Sequence, residues 1–240
     1  MSAIVGTAGW SIPAKDAEHF GSDGSTLQRY AQRFQGVEVN SCFHRPHRAS
    51  TWARWGESVP ASFRFAVKVP KTISHQRKLV DCADLVERFL GELRPLEGKL
   101  AVLLLQLPPK LAFSGAVGED FFEHFSKLMS VRIVCEPRHP SWFEAGADAL
   151  LDRLRVARVA ADPAVNPEAA LPGGWRGFSY WRLHGSPTMY RSAYDATRLD
   201  AYAALIRAET ARGRDVWCMF DNTAASAATG DALALMARLR

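Results

Sequence analysis

The 240-residue chain contains no closely spaced cysteine pair. Its four cysteines, Cys42, Cys82, Cys135 and Cys218, form no CxxC motif, which excludes a zinc ribbon and a thioredoxin-type redox pair. Cys135 and Cys218 lie in apolar runs where buried, reduced thiols are common, and a cytosolic protein is the expectation. No apolar run approaches the roughly 20 residues needed to cross a bilayer. The opening Met1-Ser2-Ala3 carries no charged leader before the first strand-like run, so neither a signal peptide nor membrane association is expected. Nucleotide signatures are missing too. Gly6-Thr7-Ala8-Gly9 is too short for a dinucleotide fingerprint, and neither GxxxxGK[ST] nor HExxH occurs. No cofactor is expected, and the sequence leaves the oligomeric state open. Blocks of like charge and low-complexity tracts are absent as well, so residues 1–240 read as one domain.

What remains is a moderately basic chain, 48% apolar, with formal charge +5 and a pI near 9.2. That balance favours anionic partners without demanding them. Strand-like runs rich in Val, Ile, Leu and aromatics recur along it: Ile4–Ala8, Gly36–Asn40, Phe63–Val69, Ala101–Gln106, Val131–Glu136, Arg158–Asp162, Tyr180–His184 and Asp215–Asp221. Helical stripes fall between them. Ser25-Thr26-Leu27-Gln28 has capping-box form, and Ser141-Trp142-Phe143-Glu144 repeats it. Asp148 is placed to cap a helix over Ala149–Val156, and the last two helices read as Leu199–Thr210 and Asp231–Leu239. After the sixth strand, Pro163, Pro167, Pro172 and Gly173-Gly174 predict an irregular crossover. Eight strand-then-helix units predict an α/β protein, a TIM-like (β/α)8 barrel; an open doubly wound sheet is the alternative.

In a barrel the chemistry sits at the strand ends, and period-two alternation decides which side chains face inward. Val37 and Val39 share a face suited to the helix layer, which turns Glu38 and Asn40 the other way. The same count turns Lys68 inward, places Gln106, Glu136 and Asp162 at strand ends, aligns Tyr180, Arg182 and His184, and ends the last strand on Asp221 and Asn222. Glu38 and Glu136 are candidate general bases and His184 the acid partner. Lys68, Arg138, His139 and Arg182 suit phosphate or carboxylate. Asn40, Gln106, Asp162 and Asn222 complete the polar set, with Trp10, Trp142 and Tyr190 as walls. In the motif Glu136-Pro137-Arg138-His139-Pro140-Ser141-Trp142, Arg138 holds an anion while Glu136 orients a polar group or takes a proton. A self-satisfied salt-bridge layer is the competing explanation.

Two other functions compete with a small-molecule enzyme. Glu38, Glu136, Asp162, His184 and Asp221 are metal-ligand types, as in metal-dependent sugar isomerases or repair endonucleases, but the cations at the same rim argue against a metal cluster. Arg45, Arg48, Arg54, Lys71, Arg77 and Lys78 interleave with Trp52 and Trp55, a pattern that fits nucleic acid. Tryptophans packed against the sheet are the plainer reading of that helix.

The ordered blocks resemble a known family. Gly6-Thr7-Ala8-Gly9-Trp10, Val37-Glu38-Val39-Asn40-Ser41-Cys42-Phe43-His44, Phe65-Ala66-Val67-Lys68-Val69-Pro70, Leu105-Gln106-Leu107-Pro108-Pro109, the Glu136–Trp142 motif, Arg182-Leu183-His184-Gly185 and Phe220-Asp221-Asn222 are similar to those of the YecE-like family. Ala8, Cys42, His44, Pro137 and Asp221 depart from its pattern. The resemblance implies a TIM-like barrel. It implies no reaction, because the family is a domain of unknown function.

Overall fold

The computed structural model describes residues 3–96 and 98–240. Met1 and Ser2, part of the leader argument, lie outside the described residues. The fold is mixed α/β with two largely parallel sheets. One sheet runs in the order β1 (Ala3–Thr7), β10 (Asp215–Phe220), β9 (Phe178–Leu183), β7 (Ala160–Asp162). The other runs β2 (Gly36–Val39), β3 (Arg64–Lys68), β4 (Leu100–Gln106), β5 (Arg132–Glu136), β6 (Val156–Arg158), β8 (Gly173–Gly174). Every pairing is parallel except β6 with β8.

The sheets approach each other at two seams. At the first, Ala8 bridges Glu38 in parallel, and Gly9 N donates to Glu38 O at 2.8 Å. Tyr30 reinforces this seam: its buried hydroxyl accepts from Thr7 N at 2.9 Å and donates to Gly36 O at 3.3 Å. The backbones come so close that a Cβ on Gly6 would lie 2.3 Å from Gly36 O, which only glycine tolerates. At the second seam, the expected sixth strand is divided at Val159. Val156–Arg158 pairs with β5, Val159 N donates to Cys135 O, and Ala160–Asp162 then pairs with β9.

The alternation sorts the apolar residues into two clusters. Val37, Val39, Phe65, Val67, Leu103, Leu105, Cys135, Leu183 and Phe220 join the large cluster beneath the helices. Ala66, Val102, Leu104, Val134, Ala157, Val159, Tyr180, Trp217 and Met219 form a separate one on the opposite strand faces. The helices are α1 (Thr26–Ala31), α2 (Ala49–Glu57), α3 (Ala83–Leu93), α4 (Gly115–Leu128), α5 (Ala145–Arg153), α6 (Ala196–Ala211) and α7 (Ala228–Leu239). The crossover after β7 is irregular, as its prolines predict: it holds a 3-10 turn, Pro167–Ala170, and the short β8.

The Ser25 capping box forms, with Gln28 N donating to Ser25 Oγ and Ser25 N to Gln28 Oε1. Two capping expectations need correction. Pro140–Phe143 is a 3-10 turn capped by His139, whose Nδ1 accepts from Ser141 N, while Ser141 Oγ is taken by Phe113 N at 2.8 Å. Asp148 lies inside α5, where its carboxylate accepts from Arg158 and Gly174 N instead of opening a helix. No described helix is long and apolar enough to cross a membrane.

Candidate functional site

Above the smaller apolar cluster lies a layer of buried charge. Glu38 follows Val37 on β2, Glu136 ends β5, Arg182 and His184 lie on and just after β9, and Asp221 follows β10. Arg182, with no solvent exposure, is the hub. Its Nη2 donates to Glu38 Oε1 at 2.6 Å and Asp221 Oδ2 at 2.8 Å, and its Nη1 to Glu136 Oε2 at 2.6 Å. Its Nε adds a contact to Glu38 Oε2 at 3.0 Å, and Tyr180 Oη donates to the same oxygen at 2.8 Å. Both oxygens of Glu38 are thus occupied.

Glu136 is equally engaged. Besides Arg182, its Oε1 accepts from Arg138 and lies 3.1 Å from His184 Nε2. Burial alone would raise its pKa, but Arg182, Arg138 and His184 outweigh burial and hold the carboxyl well below the usual glutamate value. Asp221 is lowered in the same way, by Arg182 and the His184 hydrogen bond against the opposing effect of burial. His184 Nδ1 meets Asp221 Oδ2 at 3.0 Å, while Nε2 faces both Glu136 and Arg138 Nη2, the latter at 2.9 Å. An imidazolium would donate to both carboxylates; a neutral ring would accept from Arg138. The two arrangements differ by one proton.

Not every group in the layer is satisfied. Arg138 Nε is buried without a partner. Asp221 shares its layer contacts through Oδ2, and Oδ1 accepts no hydrogen bond from a described residue. Lys68 is 9% exposed and makes no hydrogen bond or ion pair with a described residue; its Nζ lies 4.2 Å from the centre of the Phe43 ring. Beside this layer opens a cavity of about 560 Å³, lined by Gly9, Trp10, Asn40, Ser41, Asp221 and Thr223 among others. Asn40 Oδ1, in that lining, is also buried and unpartnered.

The structure therefore brings Glu38, Lys68, Glu136, Arg138, Arg182 and His184 together in one layer, with Trp10 and Asn40 at the adjoining cavity. Gln106 pairs in register with Glu136. Tyr190 covers His184 edge-on, with ring centres 5.5 Å apart, and takes a left-handed φ of 66°.

Four expected site residues lie elsewhere. Asp162 turns to the helix side, accepting from Tyr194 Oη at 2.6 Å and Arg198 at 2.8 Å, because parity with the inward Ala157 and Val159 puts it on the face of Ala160. Asn222 Nδ2 ties Ser192 O to Asp231. His139 is spent on its cap. Trp142 is 1% exposed, packed edge-on against Phe113 and bonded to Leu111 O, so it is core instead of wall. The sequence marks Asp221 only as a strand-end residue and a candidate metal ligand, and Tyr180 only as an inward-facing residue; neither is expected from it to bind substrate or act in catalysis.

The donor set fits a metal poorly: arginine nitrogens hold oxygens of Glu38, Glu136 and Asp221. Among the described residues no group of three or more His, Cys, Asp or Glu is arranged to hold a metal ion. All four cysteines are buried, and burial pushes the Cys42 thiol up to about 12, so the layer has no ready thiolate. Trp52 is 1% exposed and edge-on to Trp55, which in turn packs on Trp10, so this tryptophan pair packs inward instead of presenting two free stacking faces.

A family model described as "Protein of unknown function DUF72" matches residues 4–240. The UPF0759 protein YecE of Escherichia coli K12 is 34% identical over 126 residues, 52% of this chain and 45% of that protein. The chain thus aligns with about half the length of the curated relatives it matches. Two solved DUF72 family proteins share its fold. One from Enterococcus faecalis V583 has a TM-score of 0.83 at 19% identity, covering 99% of this chain and 95% of that one. One from Thermotoga maritima MSB8 has a TM-score of 0.81 at 21% identity, covering 100% and 99%.

Proposed function

This chain belongs to the DUF72 family, proteins of unknown function, and from that premise we propose that it is an enzyme acting on a small polar molecule bearing a phosphate or carboxylate, at the strand ends of a TIM-like barrel. The Ala8–Glu38 bridge and the strand shared at Val159 support joining the two sheets into one ring, β8 lying outside it. The observation that carries the functional reading is a pair of acceptors without donors. Asn40 Oδ1 and Asp221 Oδ1 belong to residues of one cavity lining, and neither accepts a hydrogen bond from a described residue. A buried acceptor left unpaired, as Asn40 Oδ1 is, costs about 1–3 kcal/mol, and a ligand with hydroxyl or amine donors recovers that cost.

In this reading Glu38, Glu136 and Arg182 are the frame, because their polar atoms are already committed to one another. Asp221 is the carboxylate that meets substrate. Arg182 and His184 keep it ionised, suited to orient a hydroxyl or to stabilise positive charge developing beside it. His184 is fully buried and acts through Asp221 as a positioning residue. Arg138, with Nε free of partners, supplies the contact to the anionic group. A thermal-shift screen with phosphorylated and carboxylated polar metabolites tests this. Stabilisation by at least one compound, lost in Asp221→Asn and weakened in Arg138→Met, is expected. No stabilisation across the panel, or equal stabilisation of the Asp221→Asn chain, overturns it.

A further inference from the structure

Lys68 stands apart from every other charged group in the layer. Arg182 and Arg138 are each held by carboxylates, whereas the Lys68 ammonium has neither hydrogen bond nor ion pair among the described residues. It is not a surface lysine: it ends β3 on the same strand face as Ala66 and keeps 9% of its surface. Its surroundings are well defined. The Phe43 ring lies beneath Nζ, with His75 edge-on to that ring at 5.1 Å. The backbone at Lys68 is pinned by Cys42, whose Sγ donates to Lys68 O. The charges of Arg182 on β9, Glu136 on β5, Glu38 on the adjacent β2 and Asp221 after β10 act on it, and His75 is a titratable group on the following turn.

An ammonium that is largely buried, with no hydrogen bond or ion pair among the described residues, is less favourable than one in open water, which brings the neutral amine closer to hand than on an ordinary lysine. Burial and then the Arg182 charge pull the Lys68 pKa below the ordinary lysine value, against the opposing pull of the three carboxylates. These conditions turn a lysine from a salt-bridge donor into a nucleophile: a fixed strand-end position, an apolar ring on one side, and a second cation nearby. His75 and Ser74, with Ser74 Oγ 2.9 Å from His75 Nδ1, lie on a π-helical turn at Thr72–Gln76, a type of irregularity that recurs at functional sites.

We propose that Lys68 is an imine-forming residue, whose amine condenses with an aldehyde or ketone carbonyl of the molecule held at this mouth. This deepens the preceding reading by adding a carbonyl to the polar, anionic substrate, and it rests on that reading. The nitrogen lone pair attacks the carbonyl carbon, forming C–N while the C=O electron pair moves to oxygen, which takes up a proton as the nitrogen releases one, leaving a neutral carbinolamine. The carbinolamine then takes a second proton on its hydroxyl and loses water, the nitrogen supplying the electrons of the new C=N bond. Relative to the neutral amine and carbonyl, the products are an iminium and one water, with one proton taken up. No oxidant or reductant is consumed.

Reductive trapping tests it. The full chain is incubated with pyridoxal 5′-phosphate, an anionic aldehyde, reduced with sodium borohydride and mapped by peptide mass spectrometry. Lys68 is expected to be trapped at reagent concentrations at least tenfold below those that modify Lys15, Lys71, Lys78 or Lys127. Lys68→Met should abolish that first phase, and its melting curve and circular dichroism establish whether the variant is folded. Inorganic phosphate should slow trapping of Lys68 in the unsubstituted chain, which needs no variant at all. Surface lysines modified before Lys68, or Lys68 modified only at their rate, overturns the proposal. If carbonyl-free phosphorylated compounds stabilise the chain through Asp221 and Lys68 still resists trapping, the pocket reading stands and the imine falls. If neither occurs, both fall.

Discussion

Arg182 and Glu38 form an ion pair from which water is excluded: Nη2 lies 2.6 Å from Oε1 and neither side chain is exposed. Such a pair contributes little net stability, because desolvation offsets the attraction, but breaking it strands a charge. Arg182→Met would strand three carboxylates at once, since Glu136 and Asp221 lean on the same guanidinium. A loss of at least about 3–5 kcal/mol is expected, and urea unfolding followed by circular dichroism measures it. A loss below about 1 kcal/mol would mean that the layer is held by something other than its hub.

Acid should unfold the protein through the same layer. Glu136 titrates below the unperturbed 4.5 in the folded state, so the unfolded chain binds its proton first as pH falls. Its contribution is fully present above about pH 4.5 and is lost as pH drops toward the folded value; Asp221 acts in the same direction. Melting temperature should therefore decline below about pH 4.5, and Glu136→Gln should flatten that decline. At neutral pH the same variant should be less stable by about 3 kcal/mol, because Arg182 and Arg138 lose a shared counter-charge. A variant as stable as the unsubstituted chain would contradict the buried pairing.

Period-two alternation is why much of this layer was legible in the sequence. Glu38 between Val37 and Val39, and Tyr180-Arg182-His184 in step, are turned inward by backbone geometry alone. Asp162 shows where the shortcut fails. It ends its strand, but a strand end has no fixed face, and counting from Ala157 and Val159 turns it outward. The two capping-box patterns make the same point for local signals. Ser25 is free to cap its helix, whereas Ser141 is claimed by Phe113 N from another loop. No reading of residues 141–144 alone contains that donor. Asp221 was legible by parity with Trp217 and Met219, yet its importance depends on the cavity beside it, which only the fold creates.

The first seam between the sheets makes its own prediction. Gly6→Ala places a methyl 2.3 Å from Gly36 O and 3.2 Å from Met219 Sδ. Backbone on one side cannot yield without spreading β1 from β2, so a cost of about 1–3 kcal/mol is expected. Gly91→Ala is the control. Gly91 lies inside α3, where an added Cβ meets nothing within 4 Å, and it should be neutral or stabilising by up to about 1 kcal/mol. Equal melting temperatures for the two variants would mean the seam is looser than its distances imply.

Asp221→Asn separates the layer's structural work from its chemical work. The amide oxygen can still accept from Arg182, so this substitution should cost less than losing Arg182, about 1–2 kcal/mol. Its other atom becomes an NH2 in place of Oδ1, the oxygen without a donor among the described residues, turning an acceptor into a donor. A ligand that donates to Oδ1 then meets a mismatched group, and affinity should fall at least tenfold. Asn40→Asp is the complementary change. It keeps an acceptor in the cavity and adds a charge, so it should weaken an anionic ligand while sparing a neutral, hydroxyl-rich one. Isothermal titration of both variants with any compound that stabilises the unsubstituted chain reads these outcomes. Undiminished affinity in Asp221→Asn would leave the carboxylate as part of the frame, like Glu38, and would overturn its role as the group that meets substrate.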